Sequence, residues 1–87
     1  MPTVEIYTTM FCPYCHRAKH LLDQKGVAYR EIDVTSSPGL RAEARRRSGG
    51  RRTVPQIFID GEPIGGSDEL AELESSGELD EKLGRAA

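Results

Sequence analysis

The chain has 87 residues and a formal charge of −2, with 37% hydrophobic and 30% charged residues, so it can build one modest core, and residues 1–87 read as a single domain. No apolar run approaches the roughly 18 residues of a membrane span, which excludes a transmembrane helix. The first ten residues, MPTVEIYTTM, lack the basic flank and long apolar stretch of a secretory signal, so a cytoplasmic protein is expected.

In chain order, TVEIYT alternates Val4 and Ile6 with polar neighbours and predicts a strand leading into FCPYCHRAKH. Pro13 suits the first turn of a helix, where its missing N–H would have no intrahelical partner. Ala18, Leu21 and Leu22 then recur at helical spacing, and Gly26 is the expected stop. VAYREIDV has the β-branched and aromatic content of a second strand, parallel to the first across the helix. A second helix is predicted to start after Ser36 or Ser37, with Pro38 in its first turn, and to end before Gly49-Gly50. QIFID and a short segment around Ile64, separated by GEP, read as a hairpin. Pro63 lacks a ladder donor and assigns the last strand to a sheet edge. Ser67, as N-cap beside Asp68, is expected to open one final helix through Leu70 and Leu73.

Residues 11–20 hold both cysteines, Cys12 and Cys15, and both histidines, His16 and His20. Three chemistries fit the string: haem attachment at C-x-x-C-H, a metal site, and a dithiol redox motif. Haem attachment needs an oxidising compartment and a second axial ligand. A structural zinc site brings a second ligand pair from about a dozen residues away, whereas these four lie within nine. The redox reading uses every nearby feature. Cys12 falls at a helix N-terminus, where unpaired N–H groups and the macrodipole favour a thiolate, the species that attacks disulfides. Cys15 follows three residues later, on the same side and a turn deeper, as a resolving thiol. No metal or tightly bound cofactor is expected.

Charge is uneven along the chain. Six of the 12 basic residues are arginines between 41 and 52, while nine of the 14 acidic residues lie from Asp60 onward. No aromatic residue interleaves with the arginines and the domain is not basic overall, which argues against a nucleic-acid partner. A solvated helix face is expected, with Arg51 and Arg52 placed to attract an anionic substrate.

CPYC after IYT, TVPQIFI at 53–59 and IGGSDEL at 64–70 together resemble the small bacterial dithiol glutaredoxins of the glutaredoxin-3 type, over essentially the whole chain. The resemblance implies a thioredoxin fold: an α/β domain with a four-stranded mixed sheet and flanking helices, in the order β-α-β-α-β-β-α. It implies Cys12 as nucleophile and Cys15 as resolving cysteine, with glutathione as co-substrate. It implies a loop of Thr53, Val54 and a cis Pro55, in which the Val54 N–H and C=O pair with the cysteinyl part of glutathione as an added strand would. Tyr14 stands at the rim. Gly66, Ser67 and Asp68 match the segment that holds the γ-glutamyl end, by helix N-terminal amides and a carboxylate. Relatives commonly carry lysine where this chain has Thr9, and Arg52 is expected to supply that charge to the glycyl carboxylate.

The implied activity is reduction of protein–glutathione mixed disulfides and of protein disulfides by a monomer, with ribonucleotide reductase a partner at the level of the family. Two other classes fit parts of the chain. A thioredoxin-like reductase fed by a flavoprotein shares the fold. A [2Fe–2S] delivery module would use the same nucleophilic cysteine, against the stiffening by Pro13.

Overall fold

The computed structural model describes residues 2–84. Within them the order is β1 (Val4–Thr8), α1 (Pro13–Gln24), β2 (Arg30–Asp33), α2 (Pro38–Arg47), β3 (Gln56–Ile59), β4 (Glu62–Gly65), α3 (Ser67–Ser76) and α4 (Glu78–Lys82). The sheet runs β2-β1-β3-β4, with β2 parallel to β1 and the other two pairings antiparallel. This is the expected mixed sheet, and Pro63 does lie on an edge strand.

The two-residue period of the strands decides the layers. Val4 and Ile6 of β1, with Ile57 and Ile59 of β3, pack against Ala18 and Leu22 of α1, Leu70 of α3 and Leu79 of α4. Tyr7 and Phe58 face the opposite way and meet Ala44 of α2 and Val34. Each fully buried leucine, such as Leu22 or Leu70, stabilises the fold by about 1.5–3 kcal/mol relative to an exposed one.

Several local expectations are corrected. The single final helix is two, because Gly77 takes a left-handed conformation (φ 82°) that ends α3 and turns the chain into α4. The N-cap of α3 is Gly66, with Ser67 already in the first turn. The hairpin turns at Asp60-Gly61, both with positive φ (51° and 81°), so Glu62 and Pro63 belong to β4 and not to the turn. α2 follows the expectation: Ser37 caps it by accepting the Leu40 N–H, and Pro38 follows.

The arginine run is not wholly a solvated face. Arg47 reaches back from α2 to the sheet, donating to the Tyr7 hydroxyl at 2.7 Å and to Glu5 Oε1 at 2.9 Å. Its guanidinium lies 4.2 Å from the Phe58 ring centroid, and the Tyr7 and Phe58 rings meet edge to face at 5.6 Å. Tyr7 completes the network by donating to Glu43 at 3.0 Å.

Candidate active site

β1 delivers the chain at the end of the sheet and α1 carries it away, which puts Cys12 at the junction. Cys12 is the N-cap of α1: its backbone is extended (φ −137°, ψ 103°), and its Sγ accepts the Cys15 N–H at 3.1 Å. A sulfur thus does the work usually done by a serine or aspartate oxygen, satisfying one of the four free amides of the first turn. Those amides and the helix dipole favour negative charge on that sulfur.

Cys15 lies one turn in, 1% exposed against 7% for Cys12. Burial, reinforced by its hydrogen bond with Cys12, pushes its thiol up to about 12, offset in part by the Thr9 backbone and the Lys19 charge. The pair is therefore unequal: a sulfur that caps the helix start and a more deeply buried one kept as a neutral thiol.

The proline loop faces Cys12, and the N-terminus of α3 stands behind that loop. The Val54–Pro55 peptide bond is cis, as the resemblance implied. The Val54 carbonyl oxygen sits 3.8 Å from Cys12 Sγ, and the Val54 N–H has no partner among the described residues. Gln56 braces this loop from β3, donating to the Thr53 carbonyl at 2.8 Å and to the Thr53 hydroxyl at 3.2 Å. Beyond the loop stands the N-terminus of α3, where Glu69 Oε1 accepts the Gly66 N–H at 2.6 Å and meets Arg51 at 3.1 Å. The Gly66 amide is what holds the Glu69 carboxyl below the usual range, helped by Arg51. Gly65 has to be glycine: its φ is 110°, and a Cβ there would stand 2.6 Å from Arg51 Nη1 and 2.7 Å from Glu69 Oε1.

Two recesses flank the proline loop. One of about 240 Å³ brings together Tyr14, Thr53, Val54, Pro55, Gly66, Ser67 and Asp68, with Arg51 and Glu69. The other, of about 200 Å³, is lined by Arg41, Arg45, Arg51 and Arg52 together with Thr53 and Val54. Arg52 therefore faces the second recess, while all the other expected binding residues line the first. Glu69 was missed as a site residue, although it stands three positions after Gly66, where a carboxylate can reach back to the cap amide, and Arg51, expected to attract an anionic substrate, is instead held by that carboxylate. His16 and His20 are exposed on α1, and among the described residues no group of three or more histidine, cysteine or acidic side chains could hold a metal.

A mixed sheet with a helix-capping cysteine, a buried partner thiol and a facing cis-proline loop defines a dithiol oxidoreductase site on a thioredoxin fold. Residues 4–64 match the family model for glutaredoxin, and the chain belongs to the glutaredoxin family. Glutaredoxins are glutathione-dependent thiol oxidoreductases, and that coarse activity comes with membership. The chain is 53% identical over 83 residues to Glutaredoxin 3 of Escherichia coli (strain K12), covering 95% of this chain and 99% of that one. Its structure is similar to the solution structure of glutaredoxin from Brucella melitensis (TM-score 0.81, 50% identity, 98% and 94% of the two chains). It is similar as well to a buckwheat glutaredoxin–glutathione complex (TM-score 0.85, 33% identity, 99% and 83%).

Proposed function

We propose that this chain reduces protein–glutathione mixed disulfides with Cys12 alone, and protein disulfides with Cys12 and Cys15 together, glutathione supplying the electrons in both. The observation that carries the reading is the Cys12 sulfur capping α1 through the Cys15 N–H at 3.1 Å, beside the open backbone of Val54.

In the first branch the Cys12 thiolate attacks the glutathionyl sulfur, a Cys12–glutathione disulfide forms, and the protein leaves as its thiolate. A second glutathione thiolate attacks that disulfide, releasing oxidised glutathione and restoring the Cys12 thiolate. In the second branch Cys12 attacks a protein disulfide and one substrate sulfur leaves. Cys15 loses its proton and attacks the Cys12 sulfur of the mixed disulfide, freeing the other substrate sulfur. Two glutathione molecules then reduce the Cys12–Cys15 bond in turn.

The groove supports an extended tripeptide whose ends are treated differently. The cysteinyl backbone pairs with Val54, whose carbonyl is released from the Cys12 S–H once that thiol ionises. The γ-glutamyl carboxylate takes the free amides at Ser67 and Asp68, and the Asp68 carboxylate meets the ammonium. The glycyl carboxylate lies toward Arg52, in the arginine-lined recess, where its charge offsets Thr9. The buckwheat relative solved with glutathione supports the choice of ligand.

A glutathione-coupled assay on a small glutathione mixed disulfide tests this. Cys15→Ser retains much of the activity and Cys12→Ser loses nearly all of it. Equal loss in both variants would remove the single-cysteine branch.

A further inference from the structure

Met10 and Phe11, just before Cys12, are not used by anything above. Among the described residues four large hydrophobic side chains are exposed, and three of them, Met10 (58%), Phe11 (90%) and Tyr14 (55%), lie within two residues of Cys12 in the chain. Phe11 immediately precedes Cys12. Its surroundings are held still: the Met10 N–H donates to the Thr35 hydroxyl at 2.8 Å, the Thr35 N–H donates to Asp33 at 2.8 Å, and Cys12 and Pro13 are fixed in the start of α1. An aromatic ring is thus presented to water on a braced loop, in a chain that buries its other phenylalanine completely.

The charge at this end is lopsided. Arg17 lies 5.4 Å from the Tyr14 ring, and Arg41, Arg45, Arg51 and Arg52 gather beyond Val54, against the carboxylates of Asp33, Asp68 and Glu69, the last of which pairs with Arg51. Thiol–disulfide exchange adds a geometric constraint, because the attacking, central and leaving sulfurs line up. With glutathione laid along Val54 and its sulfur against Cys12, the leaving protein sulfur points outward, and the chain carrying it crosses the rim.

We infer that Met10 and Phe11 form the docking surface for the protein half of the substrate, selecting segments with an apolar side chain next to the reacting cysteine and acidic residues nearby. This rests on the proposed function and names the partner for that same site. The ring supplies apolar area beside a thiolate that must stay accessible, and the arginines steer acidic segments toward it. A second copy of this chain on the same patch would cover Cys12.

The test uses no glutathione, so it is independent of the glutathione reading. Synthetic peptides carry one cysteine as a mixed disulfide with thionitrobenzoate. Cys12 thiolate attacks the peptide sulfur, a Cys12–peptide disulfide forms, and coloured thionitrobenzoate leaves as the anion. The full chain with Cys15→Ser is mixed with three peptides, one with leucine beside the cysteine and two glutamates, one with serine for the leucine, and one with lysines for the glutamates. The mercaptoethanol–thionitrobenzoate disulfide is the control.

The leucine–glutamate peptide reacts about tenfold faster than either other peptide, as expected for partial burial of one large side chain and a complementary field. Adding Phe11→Ser removes the leucine preference and leaves the control rate unchanged. Peptides reacting alike, or Phe11→Ser slowing peptide and control equally, would overturn the inference. So would sedimentation showing a dimer that Phe11→Ser dissociates. Loss of glutathione-coupled activity with the peptide preference intact would instead sink the glutathione reading alone.

Discussion

Arg51 and Glu69, from opposite sides of the groove, meet at 3.1 Å over Gly65, and the same Glu69 carboxylate holds the Gly66 amide at 2.6 Å. The pair ties the proline loop to the start of α3, the two walls between which the γ-glutamyl end of glutathione is proposed to lie. Both side chains are more than a third exposed, so the ion pair itself contributes about 0.5 kcal/mol. Arg51→Ala is therefore expected to raise KM for a glutathionylated substrate about twofold to threefold with little change in kcat, an effect that shrinks at high salt. Glu69 has its carboxyl lowered, so its contribution is present above about pH 4.3 and is lost as pH falls through the lowered value. Binding of a glutathione analogue should weaken over that acidic range in the wild type and not in Glu69→Gln. A kcat loss with constant KM in Arg51→Ala would contradict the clamp.

The two thiols should separate cleanly by reactivity. Cys15 is buried with its thiol pushed up to about 12, so a limiting dose of iodoacetamide at pH 7 should label Cys12 and spare Cys15, read by mass spectrometry of the peptides. Because the Cys15 thiolate fraction rises about tenfold per pH unit below that value, the lifetime of a Cys12–protein mixed disulfide should shorten between pH 7 and 9. Cys15→Ser should abolish that trend. The folded value is raised above the unfolded thiol value of about 8.5, so the stability from burying the neutral thiol is full below that pH and declines as pH rises toward 12. An alkaline urea series on wild type and Cys15→Ala would show a steeper decline in the wild type.

Arg47 is a structural residue despite its place in a basic run. Its side chain is 27% exposed and bonds Glu5 and Tyr7 while stacking on Phe58. Arg47→Ala leaves Glu5 and the Tyr7 hydroxyl without that donor and should cost about 2–3 kcal/mol, seen as a lower urea midpoint at unchanged m. Arg47→Lys should recover only part, since an ammonium cannot reach two acceptors while lying flat on a ring. Near-normal stability of Arg47→Ala would show the network to be dispensable.

Arg52 is the expected substitute for the charge absent at Thr9. Arg52→Ala should weaken use of glutathionylated substrates about fivefold, of order 1 kcal/mol, and less so as salt rises. Thr9→Lys in that background should restore most of the loss. Steady-state kinetics of the single and double variants at two ionic strengths would decide it. An unchanged KM in Arg52→Ala would leave the second recess without a role in binding.

Much of the architecture was legible because its signals are local. Pro13 after Cys12 and Pro38 after Ser37 are helix starts on their own chemistry, the alternation in TVEIYT orders a strand within a few residues, and Pro63 forbids an interior strand. The cysteine spacing and the TVP and GGSD segments likewise pointed to groups that the fold brings close together. What the tertiary structure decided depends on residues distant in sequence. Gly66 took the cap of α3 from Ser67 because Glu69 reaches back to its amide and Arg51 holds that carboxylate from another segment. Arg47 was drawn out of a solvated run because the sheet placed Glu5, Tyr7 and Phe58 beneath it. The difference between the two cysteines has the same origin: their spacing puts both at the start of α1, but only the packing of the surrounding elements buries Cys15 more deeply than Cys12, 1% exposed against 7%, with Phe11 exposed beside Cys12. Local chemistry sets where a segment starts, stops and turns, whereas burial and ion pairing depend on which distant groups the completed fold brings within a few ångströms.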